Sequence, residues 1–145
     1  MIVFLLLTLL AGAILPIQTG VNLQLRGLIG HPLLAALVSF VVGTVGLAMV
    51  AAFARAPLAL GAAWHRGEWW QWGGGLLGAV YIVGTIVLAP RLGAATFVAA
   101  LVAGQMIMSL VIDQFGWVGF AEHAISPLRV LGAALVVGGV ILVQH

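Results

Sequence analysis

The chain has no cysteine and no lysine, and only three acidic side chains stand against five arginines in its 145 residues. Without cysteine there is no disulfide, no thiolate metal site and no cysteine nucleophile. Without lysine there is no phosphate loop of the lysine type, and neither G-x-S-x-G nor H-E-x-x-H occurs. Charged residues make up 6% of the chain and hydrophobic residues 64%, which leaves too little polar surface to cover a soluble globule. The isoelectric point of 10.6 expresses a net charge of only +2, so it predicts no nucleic-acid face. His31, His65, His123 and His145 are scattered without ligand spacing. The sequence therefore predicts no metal site, no cofactor and no catalytic residue.

What is present is apolar sequence in five runs long enough to cross a bilayer, at 2–22, 33–54, 72–89, 93–112 and 127–143. This predicts an all-α membrane protein, one five-span domain over 1–145 with no soluble part. The breaks are chemically legible. Gly30-His31-Pro32 ends the first connection, with Pro32 suited to the first turn of a helix because its missing N–H has no partner there anyway. Ser126-Pro127 repeats that logic as cap and first position. Pro90-Arg91-Leu92-Gly93 reads as a tight turn between antiparallel neighbours. The longer connections, 55–71 and 113–126, carry apolar and aromatic residues suited to the membrane interface. Ala11-Gly12-Ala13 has the small-x-small form of a signal-peptide cleavage site, but no basic residue precedes it and the apolar run continues to span length. The first span is expected to be retained.

Five spans put the amino terminus and the connections after spans two and four on one side, with Arg55, Arg66 and Arg129, and leave Arg26 and Arg91 on the other. Three against two is almost no positive-inside bias, so insertion in both orientations is a consistent reading. Trp64, Trp69, Trp70, Trp72 and Trp117 all fall in or beside the connections of the first side, as interfacial anchors do. Many transporters are inverted repeats whose halves exchange conformations to give alternating access. Two copies of a five-span unit inserted oppositely build such an object. A parallel dimer and a monomer are the competing arrangements.

Small residues mark where helices approach closely. Gly132, Ala134, Gly138 and Gly139 lie along the fifth span, with four-residue pairs also at Gly74 and Gly78 and at Ala100 and Gly104. Packing within one chain and a seam between chains both use this pattern. The string Gly73-x-Gly75-x-x-Gly78 matches a dinucleotide fingerprint only formally, since no strand precedes it and no acidic partner follows at the right distance.

Polar residues inside the spans carry the functional reading. Gln18, Asn22 and Arg26 recur every fourth residue and share a face, with Pro16 just before them freeing the Gly12 carbonyl and predicting a kink. For Gln18 and Asn22 the pattern fits a substrate face or hydrogen bonds to neighbouring helices; Arg26, at the predicted span end, fits an interfacial residue that snorkels. Gln105, Ser109 and Asp113 form a second such row. Asp113 is a candidate for a cation or proton, or for a pair with Arg129. Tyr81 and Thr85 form a third, where the tyrosine hydroxyl needs a wet cavity or an interhelical bond. His65-x-x-Glu68 reads as a solvated pair.

The run from Gly12 through Pro16, Gln18, Asn22 and Arg26 to Pro32 and Ser39-Phe40 resembles the opening of the bacterial YdcZ-type proteins, the DUF606 family of the drug/metabolite transporter superfamily. Trp72-Gly73-Gly74, Gly78, Tyr81, Pro90-Arg91-Leu92-Gly93, Gly104-Gln105, Asp113-x-Phe115-Gly116 and Arg129-x-x-Gly132 continue the likeness over essentially the whole chain. The resemblance implies a multi-pass protein of the bacterial inner membrane, with a transport role. It also implies a family whose members occur as single units, oppositely oriented pairs or fused ten-span chains. The segment from Gly132 to Val140 resembles the dimerising last helix of the small multidrug resistance proteins, which implies that span five joins two protomers. Those proteins couple export to protons through a first-span glutamate, and this first span has no acid.

The reading reached from sequence is a five-span unit forming an antiparallel, dual-topology homodimer, a ten-helix inverted-repeat transporter. It moves a small metabolite or organic cation past Gln18, Asn22, Tyr81, Gln105 and Ser109, its partners being a second copy of itself, the lipid bilayer and the solute. The alternative from another class is a non-transporting membrane subunit packed against a partner membrane protein.

Overall fold

Long runs of leucine, isoleucine, valine and alanine with few interior breakers satisfy their backbone polar groups within helices, the one open structure a bilayer tolerates. The computed structural model describes residues 1–57 and 60–144, and its described elements are α1 (Ile2–Ile29), α2 (Pro32–Phe53), α3 (Leu60–Arg66), α4 (Gly74–Leu92), α5 (Ala94–Phe115) and α6 (Pro127–Val143), with short 3₁₀ turns at Trp69–Gly73 and Trp117–Gly119. His145 lies outside the described residues. Among these residues there is no strand. Ile2–Ile29, Pro32–Phe53, Trp69–Leu92 and Ala94–Phe115 are each long and apolar enough to cross a membrane. Pro127–Val143 is a shorter apolar helix of 17 residues, about 26 Å at the usual helical rise and so at the short end of spanning length.

The chain divides into two compact units, Met1–Ala89 and Pro90–His145. In the first, α1 and α2 pack together across the Gly30-His31 link, where Gly30 takes the left-handed conformation (φ 81°) and returns its N–H to the Arg26 carbonyl. Pro32 opens α2 at its first position. Ala35 and Ala36 of α2 meet Ile82 and Ile86 of α4 in a buried cluster, flanked by Leu23, Leu25, Tyr81 and Val83. The small alanine side chains let the isoleucines approach closely enough to be enclosed. Phe40 touches the face of Gly78, where an added Cβ would sit 3.5 Å from its ring.

In the second unit α5 and α6 pack as a pair. Thr96 Oγ1 near the start of α5 donates to the Val143 carbonyl at the end of α6 (3.5 Å), and the opposite ends meet through Asp113 and Arg129. These two ties fix the pair as antiparallel. Between them Gly116 (φ 60°) terminates α5, and Val118 holds φ 52°, a left-handed conformation that crowds a β-branched side chain.

Three predicted boundaries move: α5 runs past the expected 112 to Phe115, so Asp113 lies in the helix and not in the connection, and the ends of α1 and α4 shift as well. The polar residues after 22 suggest the end of a span, yet nothing from Leu23 to Ile29 breaks a helix, and α1 continues to its glycine cap. The expected turn at Pro90 is also displaced, because α4 runs through Pro90 to Leu92 and only Gly93 (φ 79°) separates it from α5. A proline in the last turn forfeits one hydrogen bond without ending the helix when another donor meets the freed carbonyl.

Candidate substrate site

The α1 row meets three different environments along one helical face. Gln18, exposed, opens onto a pocket of about 210 Å³ lined also by Ser39, Phe40, Gly43, Thr44 and Leu47 of α2 and Ile82 of α4. One turn on, Asn22 is 2% exposed and its amide nitrogen has no hydrogen-bond partner among the described residues. One further turn on, Arg26 is half-buried and its Nη1 donates to the Ile86 carbonyl of α4 at 2.9 Å.

That last bond has a covalent cause. In a regular helix the Ile86 carbonyl accepts from the N–H of residue 90, and residue 90 is a proline. Arg26 supplies the missing donor from another helix. Ile86 itself is fully enclosed, so its carbonyl has no water to turn to and an unmade bond there would be costly. Arg26, expected to snorkel to the interface, serves with its guanidinium as the outer hydrogen bond of α4. The proline by itself announces a carbonyl short of a donor, but the sequence gives no sign that Arg26 reaches it. Pro16 inside α1 removes the same kind of donor from the Gly12 carbonyl, and no side chain among the described residues replaces it.

Tyr81 is half-buried against the alanine and isoleucine cluster, and its hydroxyl has no hydrogen bond among the described residues. Thr85, although buried, is satisfied locally through the Ile82 carbonyl at 2.8 Å. Ser39, Phe40 and Thr44 line the pocket without forming any periodic polar row in the sequence, which is why site reasoning from spacing passes over them.

The α5 row belongs to the second unit and is organised differently. Gln105 and Ser109 are exposed and make no side-chain hydrogen bond among the described residues. Asp113 pairs with Arg129 through Oδ2 and Nη2. Arg129 Nη1 donates to the His123 carbonyl (3.0 Å), the His123 N–H returns to the Asp113 carbonyl (2.7 Å), and the Gln114 side chain accepts from the Ile125 N–H (2.7 Å). Ser126 caps α6 by accepting from the Arg129 N–H. The result is a polar clasp between two helix ends.

On α6, Ala133 is buried, whereas Gly132 and Ala134 are exposed and Gly138 and Gly139 half-exposed. Among the described residues a Cβ added to Gly132, Gly138 or Gly139 would meet no atom of another element within 4 Å. The chain does not itself use these glycines for close approach. Glu68, read from sequence as half of a solvated pair with His65, is engaged instead with Gln71 in a reciprocal cap of the first 3₁₀ turn. Among the described residues no three histidine, aspartate or glutamate side chains gather to hold a metal.

The family model described as "Putative inner membrane exporter, YdcZ" matches residues 3–142. The Inner membrane protein YdcZ of Escherichia coli (strain K12) is 31% identical over 140 residues, covering 93% of this chain and 90% of that protein. No solved structure matches.

Proposed function

The chain belongs to the YdcZ family of inner-membrane exporters, and from that premise we propose that this multi-pass transporter moves a small solute by alternating access as an antiparallel pair of identical chains. An exporter is not an enzyme class, and the chemistry required of the residues is recognition. The observation that carries the reading is the buried Asn22 amide left without a partner, one turn from a pocket that opens at Gln18. A subunit that only packs closes its polar groups against its own helices or its partner's. A transporter keeps some unpaired until the solute arrives.

A five-span unit supplies half of an inverted repeat, and the second copy, inserted oppositely, supplies the other. The uncovered glycines of α6 suit that seam, and Gln105 and Ser109, exposed on the single chain, are available to a cavity completed by the second copy. The alternative, a subunit packed on a different membrane protein, draws on the same open glycine face.

Replacing Gln18 and Asn22 together with leucine is expected to abolish solute-induced stabilisation while leaving the dimer intact, as read by thermal unfolding with a metabolite and cation panel and by cross-linking. Retention of a ligand-induced shift in that variant would remove these residues from the site. Because the natural chain has no cysteine, single cysteines placed in the 55–71 connection and near the carboxyl terminus report orientation directly. Labelling of each from both sides of the membrane is expected; labelling from one side would overturn the antiparallel pair.

A further inference from the structure

Resting on the transport reading above, we propose that the solute carries an anionic oxygen, a carboxylate or a phosphate, held by the Asn22 amide N–H and the Arg26 guanidinium. The Asn22 nitrogen is enclosed by the chain and has no acceptor among the described residues. Arg26 lies one turn further along the same face and spends one N–H on the neutral Ile86 carbonyl. Among the described residues its other N–H groups have no acceptor, and no carboxylate pairs with it. The helices that build this site, α1, α2 and α4, contain no aspartate or glutamate at all.

An organic cation brought here meets a like charge and an amide donor, and nothing on these helices offsets its lost hydration. An anion meets a donor and an opposite charge in a setting of low dielectric, where charge-assisted hydrogen bonds are strongest. The pocket that opens at Gln18, one turn from Asn22, is lined by neither Asn22 nor Arg26; with the enclosed Asn22 amide uncovered as the helices part, it offers room for the rest of the solute. Its volume of about 210 Å³ falls below the ~300–1,000 Å³ typical of drug-sized ligands, and its walls combine Phe40, Leu47 and Ile82 with the hydroxyls of Ser39 and Thr44. Those walls select a small acid with a short, mostly apolar body.

The headgroup of an anionic lipid offers the same chemistry, so the test separates the two sources. The full chain is unfolded thermally in neutral maltoside micelles with benzoate, inorganic phosphate or tetraethylammonium, and again in discs of zwitterionic or anionic lipid. Benzoate or phosphate is expected to raise the unfolding temperature in a saturable way, with no effect of tetraethylammonium. Asn22→Asp, close to isosteric and able to pair with Arg26, is expected to fold and to weaken anion binding by about tenfold or more; Arg26→Lys keeps the charge and is expected to weaken it less. An anion response unchanged in Asn22→Asp overturns the site. Stabilisation by anionic lipid alone overturns the solute assignment in favour of a lipid contact. Stabilisation by tetraethylammonium but not by the anions overturns the proposal and leaves the transport reading standing, whereas no response to either charge counts against both.

Discussion

In the second unit the guanidinium of Arg129 meets a carboxylate and a backbone carbonyl, and the loop around it is stitched by further hydrogen bonds. In the first, among the described residues, the guanidinium of Arg26 meets one neutral carbonyl, and the neighbouring Asn22 amide nitrogen meets no partner. Arg26 and Asp113, the partner of Arg129, each end a row of three polar residues spaced by four on a long apolar helix, and sequence periodicity treats the two rows alike. The difference separates a row whose last member, Asp113, holds helix ends together from one that keeps donors in reserve at Asn22 and Arg26. A closed network lowers the energy of one arrangement, while an incompletely satisfied one is completed only by something that arrives from outside.

The largest effect that sharpens the comparison is expected at Arg26. Arg26→Leu leaves the Ile86 carbonyl without a donor and is expected to cost about 2 kcal/mol, the scale of a hydrogen bond to a charged group. Pro90→Ala restores the N–H that the helix lacks, so the same substitution in that background is expected to cost less by at least ~1 kcal/mol in a double-mutant cycle. Additive losses would show that Arg26 and Pro90 act separately. Next comes the clasp: Asp113→Asn is expected to destabilise by about 1–2 kcal/mol, because the pair is partly exposed and keeps some of its hydrogen bonding. Little further loss is expected on adding Arg129→Gln, and thermal unfolding of the three variants measures both points.

The smallest effect is the most discriminating. Asn22→Leu removes a donor that has no partner, so stability is expected to stay within about 1 kcal/mol of the parent or to rise. A loss as large as that of Asp113→Asn would mean that Asn22 is satisfied in the folded chain and that the two rows are of one kind.

Much of the architecture follows from the chain's chemistry read in one dimension. The apolar runs demand helices, and the proline at position 32, the Ser126-Pro127 pair and the left-handed glycine at position 30 end or start them where a helix must end or start. The start of α6 at Pro127 follows the local signal of the Ser126-Pro127 pair. Less legible were the ends of α1 and α4, where a polar residue and a proline suggest breaks that the helices pass through. Polar side chains stop a helix only when they compete for its backbone, and asparagine and arginine here point to other partners or to none.

By itself the sequence determined that the chain lives in a membrane, that its helices are amphipathic through only a few polar rows, and that charge is too scarce to fix an orientation. Tertiary structure alone decided which of the arginines and acids in those rows is paired. The carbonyl that holds Arg26 lies 60 residues away in the chain and is free because of a proline on another helix, and the acid that neutralises Arg129 arrives through a loop bent by left-handed glycines. A hydrogen bond depends on distance and direction in space, so spacing along one helix names the candidates and packing between helices assigns their partners.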